Sequence, residues 1–499
     1  MKNNAQFKKL INGLFLIALC VPFLAVLRSP HLKAVVRSVV ENPSSWNGQR
    51  DVLRRSTPLW NKAVEGYTSL LFALGTTSSR DVGVVGTDHW IFLGDGFDHN
   101  FSQALGRRKF SIDELERWHS VLSLQQAWLA RRQIPMLFVV APAKWSIYPE
   151  KLPAWSQREI GEHAFDGELA IKGDLHMVDL RPTLRAARKE ADTYSPLNSH
   201  WTDFGAFVAW RALVPELGSL ATNLQGLYIP PYNGVSQTDY GSEFAGLLSL
   251  PVSNRWTIPN FTQPFPDFQG TDANGHVTSF PGLTRTGLLD LPRETVAPAV
   301  KNNIRALIMR DSMGDSLSLY LQAAFHETKQ VDHHINVPAL APNLPSLVDS
   351  YRPNLLMYVM TERYFDHVPR SDEVQFWQAA NDFDLASSVG AWTNDGSGSG
   401  VVRLEGSPDL NTAASLYWSP EDKESLVLRI DLDASWSGQL QLQFYADNKL
   451  QLEAEQYVAG NNELFFKLPA GVAGSRVTVV RGEGSASVRL NDIMLKKLH

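Results

Sequence analysis

The stretch IRALIMRDSMGDSLSLYLQAAF, residues 304–325, sets the architecture of this 499-residue chain, because an apolar strand pattern runs directly into a helical one. A short buried strand followed by a helix is typical of a parallel sheet covered by helices. Ser312 falls at the carboxyl end of the predicted strand, where open α/β sheets place their ligand sites. Ser316 stands in a literal Gly-Asp-Ser-Leu sequence but is predicted to lie one turn inside the helix. Ser312 is therefore the better-placed serine.

The same alternation of helix and buried strand extends over much of the chain. A helical pattern and an apolar run occupy residues 111–144, and strand patterns recur over residues 175–189 and 353–365. Residues 81–370 are therefore predicted to form an α/β domain with a parallel sheet flanked by helices. Between about residues 220 and 300 the sequence is rich in Pro, Gly and aromatic residues, which predicts a loop-rich insertion. That insertion either lines a substrate groove or is a surface excursion.

Beyond about residue 370 the pattern changes to short alternating strands separated by turn residues. Residues 425–435 read SLVLRIDLDAS, residues 438–448 read GQLQLQFYADN, and similar segments follow at regular spacing. Such a pattern predicts an all-β sandwich of the jelly-roll type over residues 371–499.

The N-terminus reads MKNNAQFKKLINGLFLIALCVPFLAVLRSP, with lysines ahead of an apolar run from Leu10 to Leu27. At 1.5 Å per residue such a run reaches about 27 Å, close to the hydrocarbon thickness of a bilayer. Residues 1–30 are therefore predicted to be a membrane anchor or a signal segment, with an uncleaved anchor favoured over cleavage. Residues 31–80 are predicted to be a stalk. The body of the chain would then lie in the periplasm, tethered to the inner membrane.

Composition narrows the classes of partner. The formal net charge of -6 gives no general attraction to nucleic acid, so a polynucleotide partner is not expected. Cys20 is the one cysteine of the sequence, so no intramolecular disulfide can form. His326, His333 and His334 lie near acidic residues, but adjacent histidines on a strand face opposite sides, so a metal site is not expected.

A histidine-containing block offers a partner for Ser312. The segment YSPLNSHWTDFGAFVAWRAL, residues 194–213, places His200 just before an apolar helix, with Asn198 two residues earlier and Asp203 three residues later. A serine nucleophile needs a base, usually histidine, and a third group that fixes the histidine tautomer. The alternative is an ordinary helix N-cap serine and a histidine that only packs.

The predicted turn between strand and helix also offers hydrogen-bond donors. The backbone N–H groups of Ser312, Met313 and Gly314 lie at the amino end of the helix, where the helix dipole favours negative charge. These amides are therefore predicted to form an oxyanion site, and Gly314 is predicted to let a substrate carbonyl approach closely.

These blocks resemble the alginate O-acetylation (AlgX/AlgJ-like) branch of the SGNH hydrolase superfamily. The block around His200 is similar to the family's Asp-x-His-Trp, and the strand that ends at Ser312 is similar to its Asp-Ser-(Phe/Met)-Gly. The resemblance covers roughly residues 82–366. Further similar blocks are VGVVGTDHWIFLGDGFDHN (82–100), APAKWSIYPEKLP (141–153), YGSEFAGLLSLP (240–251) and TERYF (361–365).

The resemblance implies roles for individual residues. Ser312 would be the nucleophile and His200 the base, and Asn198 takes the place of the family's orienting Asp. An asparagine carbonyl can accept a hydrogen bond from the imidazole, but it brings no negative charge. Three alternatives follow from this departure: a slower enzyme, a replacement carboxylate from Asp203 or Asp192, or a fold that has lost the chemistry.

The resemblance also implies a function for the whole chain. It implies a serine O-acetyltransferase that modifies an exported polysaccharide, needs no cofactor and receives acetyl groups through a multispanning membrane acyltransferase. The β-sandwich would be a carbohydrate-binding domain. The rivals are a carbohydrate acetylesterase with the same residues and a non-catalytic polysaccharide-binding scaffold. Four residues are candidates for substrate contacts, with structural ion pairs or packing as the alternative: Arg310, Arg363, Tyr364 and Lys144.

Overall fold

The parts of the chain that the computed structural model describes are residues 33, 34, 37 and 40, and residues 58–392, 402–405, 409–410, 413–418, 426–481 and 488–498. The predicted anchor over residues 1–30 lies outside these ranges, as does part of the predicted stalk over residues 31–80. Within them, no helix combines the length and the apolar character that crossing a membrane requires.

From residue 58 onward the helices are α1 (Pro58–Ala73), α2 (Asn100–Ala104), α3 (Ile112–Arg131), α4 (Lys144–Ile147), α5 (Ala164–Ile171), α6 (Arg181–Ala187), α7 (Asp203–Leu220), α8 (Glu243–Leu248), α9 (Gly314–Ala324), α10 (Leu344–Tyr351) and α11 (Ser371–Leu385). The strands of the first unit are β1 (Gly83–Val85), β2 (Ile91–Leu93), β3 (Met136–Ala141), β4 (Met177–Asp179), β5 (Tyr232–Tyr240), β6 (Asn254–Phe261), β7 (Phe268–Thr271), β8 (Val277–Phe280), β9 (Arg293–Val296), β10 (Arg305–Arg310), β11 (Glu327–Asp332) and β12 (Leu355–Thr361).

One mixed sheet forms the centre of this unit, in the order β4-β3-β12-β10-β11-β9-β7-β8. The first five strands in that order are parallel to one another. The last three continue the sheet in antiparallel fashion. The predicted parallel sheet flanked by helices is thus confirmed, and antiparallel strands extend it at one edge.

The insertion at about residues 220–300 is more regular than the predicted loops. It contains the antiparallel hairpin of β5 and β6, helix α8 and the edge strands β7 to β9. Trp256 of β6 is buried and stacks on Tyr240 of β5, with 4.4 Å between the ring centroids. Proline and glycine between these short strands hide their alternation, which is why the sequence resembles loops.

Apolar layers cover both faces of the sheet. Helices α7 and α9 pack on one face, and helices α3 and α11 pack on the other. Helix α7 begins after Thr202, whose hydroxyl accepts a hydrogen bond from the Gly205 amide at 3.1 Å. Phe204, Trp210 and Leu217 along this helix are fully buried. This burial fixes the start of α7, and with it the segment that carries His200.

The second unit consists of β13 (Ser387–Trp392), β14 (Val402–Glu405), β15 (Asp409–Leu410), β16 (Ala413–Trp418), β17 (Leu426–Ala446), β18 (Lys449–Leu468), β19 (Gly474–Arg481) and β20 (Val488–Lys497). The pairings of these strands are antiparallel. Strand β17 pairs with β18 along one edge. Along its other edge it pairs first with β20, up to Ala434, and then with β19, after a bulge between Ala434 and Gly438. The sheet therefore curls around one apolar core, and the predicted all-β class is confirmed.

Helix α11 joins the two units. Its Trp377 packs edge to face against Trp128 of α3, with 5.7 Å between the ring centroids. Its Phe376 packs in the same way against Phe465 of β18, again at 5.7 Å. These aromatic contacts place the β unit directly against the helical layer of the α/β unit.

Candidate active site

The turn that carries Ser312 is tied to the sheet through Asp311. Strand β10 ends at Arg310 and helix α9 begins at Gly314, so residues 311–313 form the connection. The Asp311 carboxylate accepts hydrogen bonds at 2.7 Å from the Met313 amide and from both the amide and the hydroxyl of Thr361. Burial alone would raise the pKa of Asp311, but the His333 imidazole 3.5 Å away, nearby positive charge and the hydrogen bonds from Thr361 lower it. An ionised Asp311 thus fixes the Ser312 turn.

Ser312, His200 and Asn198 lie in one hydrogen-bonded row. The distance from Ser312 Oγ to His200 Nε2 is 2.7 Å, and that from His200 Nδ1 to Asn198 Oδ1 is 2.8 Å. Because the asparagine oxygen can only accept, the network assigns the imidazole proton to Nδ1 and leaves Nε2 to accept from the serine hydroxyl. The imidazole is 26% exposed, so the row opens to solvent.

Trp201 links the histidine segment to the serine turn. Its indole Nε1 donates a hydrogen bond to the Met313 carbonyl at 2.8 Å, and its side chain is fully buried. Its backbone forms an antiparallel bridge with Tyr194. The residue next to His200 is therefore attached to the residue next to Ser312, which holds the two segments in register.

Lys144 supports the same segment from the interior. Its ammonium donates to the carbonyl oxygens of Ser195 at 3.2 Å, Pro196 at 3.0 Å and Asn198 at 2.9 Å. Burial lowers the pKa of Lys144 to about 7, against the opposing attraction of Glu243. All three ammonium protons have backbone acceptors, so this lysine is engaged by the protein itself.

Glu243 is a site residue that the sequence analysis missed. Its Oε2 atom lies 3.6 Å from His200 Nδ1 and accepts hydrogen bonds from the Ser199 amide at 2.9 Å and the Ser199 hydroxyl at 2.6 Å. Burial alone would raise the pKa of Glu243, but interactions with His200 and Ser199 outweigh it and lower the pKa to about 2. Glu243 lies within the quoted block YGSEFAGLLSLP, and only that block hinted at its place.

The two acids considered as replacements for the orienting Asp have other partners. Asp203 Oδ1 accepts a hydrogen bond from Arg285 at 2.5 Å. Asp192 is exposed, and its Oδ1 lies 3.3 Å from the Tyr148 hydroxyl. The acid that faces His200 comes instead from helix α8 of the insertion.

The predicted oxyanion donors need correction. The Met313 amide donates to Asp311 Oδ1 at 2.7 Å, and the Gly314 amide donates to the Asp311 carbonyl at 3.1 Å. Both amides are therefore engaged within the turn. Among the described residues, none accepts a hydrogen bond from the Ser312 amide, which leaves that donor open. A Cβ atom on Gly314 would lie 1.9 Å from Arg310 Cδ, so this glycine makes room for Arg310 rather than for a substrate.

Arg310 also differs from its predicted role as a substrate contact. Its side chain is fully buried, and hydrogen bonds satisfy its guanidinium inside the protein. The acceptors are Gln330 Oε1 at 2.9 Å, the Asp311 carbonyl at 3.0 Å, Asp315 Oδ1 at 2.7 Å and the Thr286 carbonyl at 2.8 Å. Arg310 is thus a structural residue that supports the turn from below.

Arg363 is partly buried, and Tyr364 is buried in the apolar layer on one face of the sheet. Arg363 pairs with Asp98 at 2.9 Å and donates to the Tyr364 hydroxyl at 3.1 Å. Burial raises the pKa of Tyr364 to about 12, so its hydroxyl stays protonated. Arg363 and Lys144 line a small cavity that also touches Ser199, the neighbour of His200. Tyr364 does not line this cavity, and the role of Arg363 as a substrate contact stays a prediction.

The remaining motifs lie apart from this row. Ser316 is buried in the first turn of α9. His333 is buried against Tyr358, with 5.3 Å between the rings, and His326 Nδ1 lies 2.9 Å from the Val300 carbonyl oxygen. In the part of the chain that the structure describes, no group of three or more His, Cys, Asp or Glu side chains is placed to hold a metal ion.

Part of the chain is similar to a known family. Residues 84–236 match the family described as "SGNH hydrolase-like domain, acetyltransferase AlgX". The chain is 25% identical over 208 residues to the "Probable alginate O-acetylase AlgJ" of Azotobacter vinelandii. This alignment covers 40% of this chain and 48% of that protein. The protein of the same name from Pseudomonas aeruginosa is 26% identical over 188 residues, covering 37% and 43%. The chain thus spans about half the length of the curated relatives it matches.

A solved structure shows the same fold. The structure of Pseudomonas aeruginosa AlgX superimposes with a TM-score of 0.50 and 13% sequence identity, over 87% of this chain and 99% of that chain. At this identity the likeness concerns the fold alone. Residues 84–236 match an SGNH hydrolase-like domain, and the chain resembles the alginate O-acetyltransferase (AlgX/AlgJ-like) branch of that superfamily.

Proposed function

We propose that this protein is an O-acetyltransferase that modifies an exported polysaccharide through an acetyl-serine at Ser312. The observation that carries the proposal is the 2.7 Å contact between Ser312 Oγ and His200 Nε2. The other ring nitrogen, Nδ1, is hydrogen-bonded to Asn198 Oδ1. A serine with a histidine base in this geometry is equipped for acyl transfer. The match to an AlgX-type acetyltransferase domain supports the choice of acetyl groups.

In the first half-reaction Ser312 takes the acetyl group. Its Oγ attacks the acetyl carbonyl of a donor ester while His200 Nε2 accepts the hydroxyl proton. The Ser312 amide, which is free of partners among the described residues, stabilises the oxyanion of the tetrahedral intermediate. The intermediate collapses when the donor's alcohol oxygen leaves and takes the proton from His200.

In the second half-reaction a sugar hydroxyl takes the acetyl group. His200 Nε2 accepts the proton of that hydroxyl as the sugar oxygen attacks the acetyl carbonyl on Ser312. The ester bond to Ser312 then breaks, and His200 returns the proton to Ser312 Oγ. Asn198 holds the imidazole in the required tautomer throughout. Arg363 contacts the substrates at the adjacent cavity.

The parts of the chain outside the α/β unit bind the acceptor and anchor the protein. The β unit of residues 371–499 binds the polysaccharide acceptor, and residues 1–30 anchor the protein so that the α/β unit faces the periplasm. The acetyl donor is supplied through a multispanning membrane acyltransferase. This arrangement keeps donor and acceptor close to one serine and requires no cofactor.

The test is transfer of acetyl groups to a soluble oligosaccharide. Purified protein is incubated with an activated acetyl ester and an unacetylated oligosaccharide, and the products are analysed by mass spectrometry. The proposal predicts acetylated sugar with wild-type protein and with S316A, the matched control for the literal Gly-Asp-Ser-Leu serine, but not with S312A. Acetate release without acetylated sugar favours an esterase, and sugar binding with no turnover of the donor favours a scaffold.

A further inference from the structure

Asn198 lacks the negative charge that the third residue of a usual triad supplies. During proton transfer His200 becomes an imidazolium, and the buried carboxylate of a usual triad both orients the ring and stabilises that positive charge. The Asn198 oxygen accepts the orienting hydrogen bond from His200 Nδ1, but its amide is neutral. A working site with Asn198 therefore calls for a negative charge from another residue.

Helix α8 places a negative charge near Nδ1 of His200, the ring nitrogen that Asn198 also contacts. The Glu243 carboxylate lies 3.6 Å from His200 Nδ1, beyond hydrogen-bonding distance but close enough for a strong charge interaction. The helix is fixed to the segment around Asn198, because the Ser242 hydroxyl donates to the Leu197 carbonyl at 2.7 Å. Two hydrogen bonds from Ser199 orient the carboxylate itself.

The carboxylate is also held in its charged form. Despite its burial, the pKa of Glu243 is lowered to about 2, so the group is ionised throughout the neutral range. The other charged groups near this face are engaged elsewhere. Asp315 also interacts with His200, but its stronger partner is Arg310 at 2.7 Å. The Lys144 ammonium is directed to three backbone carbonyls.

We infer that this site divides the work of one aspartate between two residues: Asn198 orients His200, and Glu243 of the insertion supplies the negative charge that stabilises the imidazolium. Glu243 is thus a positioning and charge-supplying residue that acts through His200 and does not contact the substrate. The inference rests on the proposed function, because it assigns Glu243 a part in the same proton transfers. It also gives the insertion a role in the chemistry.

The variant Glu243→Gln isolates the charge. Glutamine keeps the size of the side chain and an oxygen that accepts both hydrogen bonds from Ser199, so a purely structural role would survive the change. We expect kcat to fall between about 10- and 1,000-fold, below the ~10⁴ loss that follows when a serine protease triad loses its carboxylate, with KM little changed. The acid limb of the pH–rate profile should move to lower pH, because the imidazolium loses its stabilising charge.

A second change provides the rescue. In the double variant N198D/E243Q the charge returns at position 198, where aspartate keeps the oxygen that accepts from His200. We expect kcat to recover most of the loss. The matched control is D239N, which removes one exposed carboxylate from the same insertion and should leave kcat unchanged.

A readout that needs no turnover separates this inference from the proposed function. The pH midpoint of the His200 imidazole titration, followed by nitrogen NMR, should be lower in E243Q than in wild type and should return in N198D/E243Q. Equal midpoints in wild type and E243Q overturn the inference, whatever the activity. A shifted midpoint in a protein that transfers no acetyl group would support the charge relationship and count against the acetyltransferase.

Discussion

The Nζ atom of Lys144 lies 2.9 Å from the carbonyl oxygen of Asn198, inside the protein. The same ammonium reaches the carbonyls of Ser195 and Pro196, so one buried cation binds three backbone oxygens of the segment that leads to His200. A buried charge is tolerated when its hydrogen bonds are complete, and here they are. The orientation of the imidazole therefore depends on a lysine that does not touch it.

We expect K144M to loosen this segment. Methionine fills much of the space of the lysine stem but leaves the three carbonyls of residues 195, 196 and 198 without their donor, at a cost of about 3 kcal/mol in the free energy of unfolding. The rate of acetyl transfer should fall as well, because Asn198 no longer holds His200 in its orientation. Urea unfolding and initial rates provide the measurement. K301M, at an exposed lysine with a single carbonyl partner, should change stability by less than about 0.5 kcal/mol.

Gly314 gives a second prediction at the serine turn. A methyl group there would overlap the Arg310 side chain, with only 1.9 Å to Cδ, and that side chain cannot retreat because it is fully buried and held by four hydrogen bonds. We expect G314A to lower the free energy of unfolding by about 2 kcal/mol or more. Thermal unfolding tests this, with G66A as the control, since a Cβ on Gly66 of α1 meets open space. A G314A protein as stable as wild type would show that the turn is not tightly packed.

Glu168 of α5 gives a prediction on pH dependence. It is fully buried, both carboxylate oxygens lack hydrogen-bond partners within the described structure, and His119 Nδ1 is 3.8 Å away. Burial raises the pKa of Glu168 to about 8 from an ordinary 4.5. The folded protein thus holds a proton that the unfolded chain releases above about pH 4.5, so this group lowers stability progressively from there to about pH 8.

We expect E168Q to remove that dependence. The free energy of unfolding of E168Q should exceed that of wild type by an amount that grows by about 1.4 kcal/mol per pH unit. This difference should be near zero at pH 4.5 and at most about 3 kcal/mol at pH 7. Urea unfolding of both proteins at a series of pH values measures the difference. A constant difference across this range would mean that Glu168 ionises normally in the folded protein.

Local patterns allowed Ser312, His200 and Asn198 to be chosen from the sequence. Each stands at a fixed position relative to one element, at the end of β10 or just before α7, and the structure brings these positions together. Arg310 was misjudged because its closeness to Ser312 in the chain hid the direction of its side chain. Successive strand residues point to opposite faces, and Arg310 points into the packed interior.

Features that depend on distant contacts could not be predicted in the same way. Glu243 reaches His200 only because the insertion folds into strands and a short helix, and proline-rich sequence concealed that regularity. The engagement of the Met313 and Gly314 amides follows from how Asp311 closes the turn. The strand pattern of residues 371–499 predicted the all-β class, while the curl of the sheet depends on a bulge in β17.

The most direct test of the account is the site of covalent acetylation. Wild-type protein, S312A and S316A are each treated with p-nitrophenyl acetate, quenched at low pH and analysed by peptide mass spectrometry. The account predicts one added acetyl group on the peptide that contains Ser312 in wild type and S316A, and its absence from S312A. An acetyl group on Ser316, or folded wild-type protein that never carries one on Ser312, would contradict it.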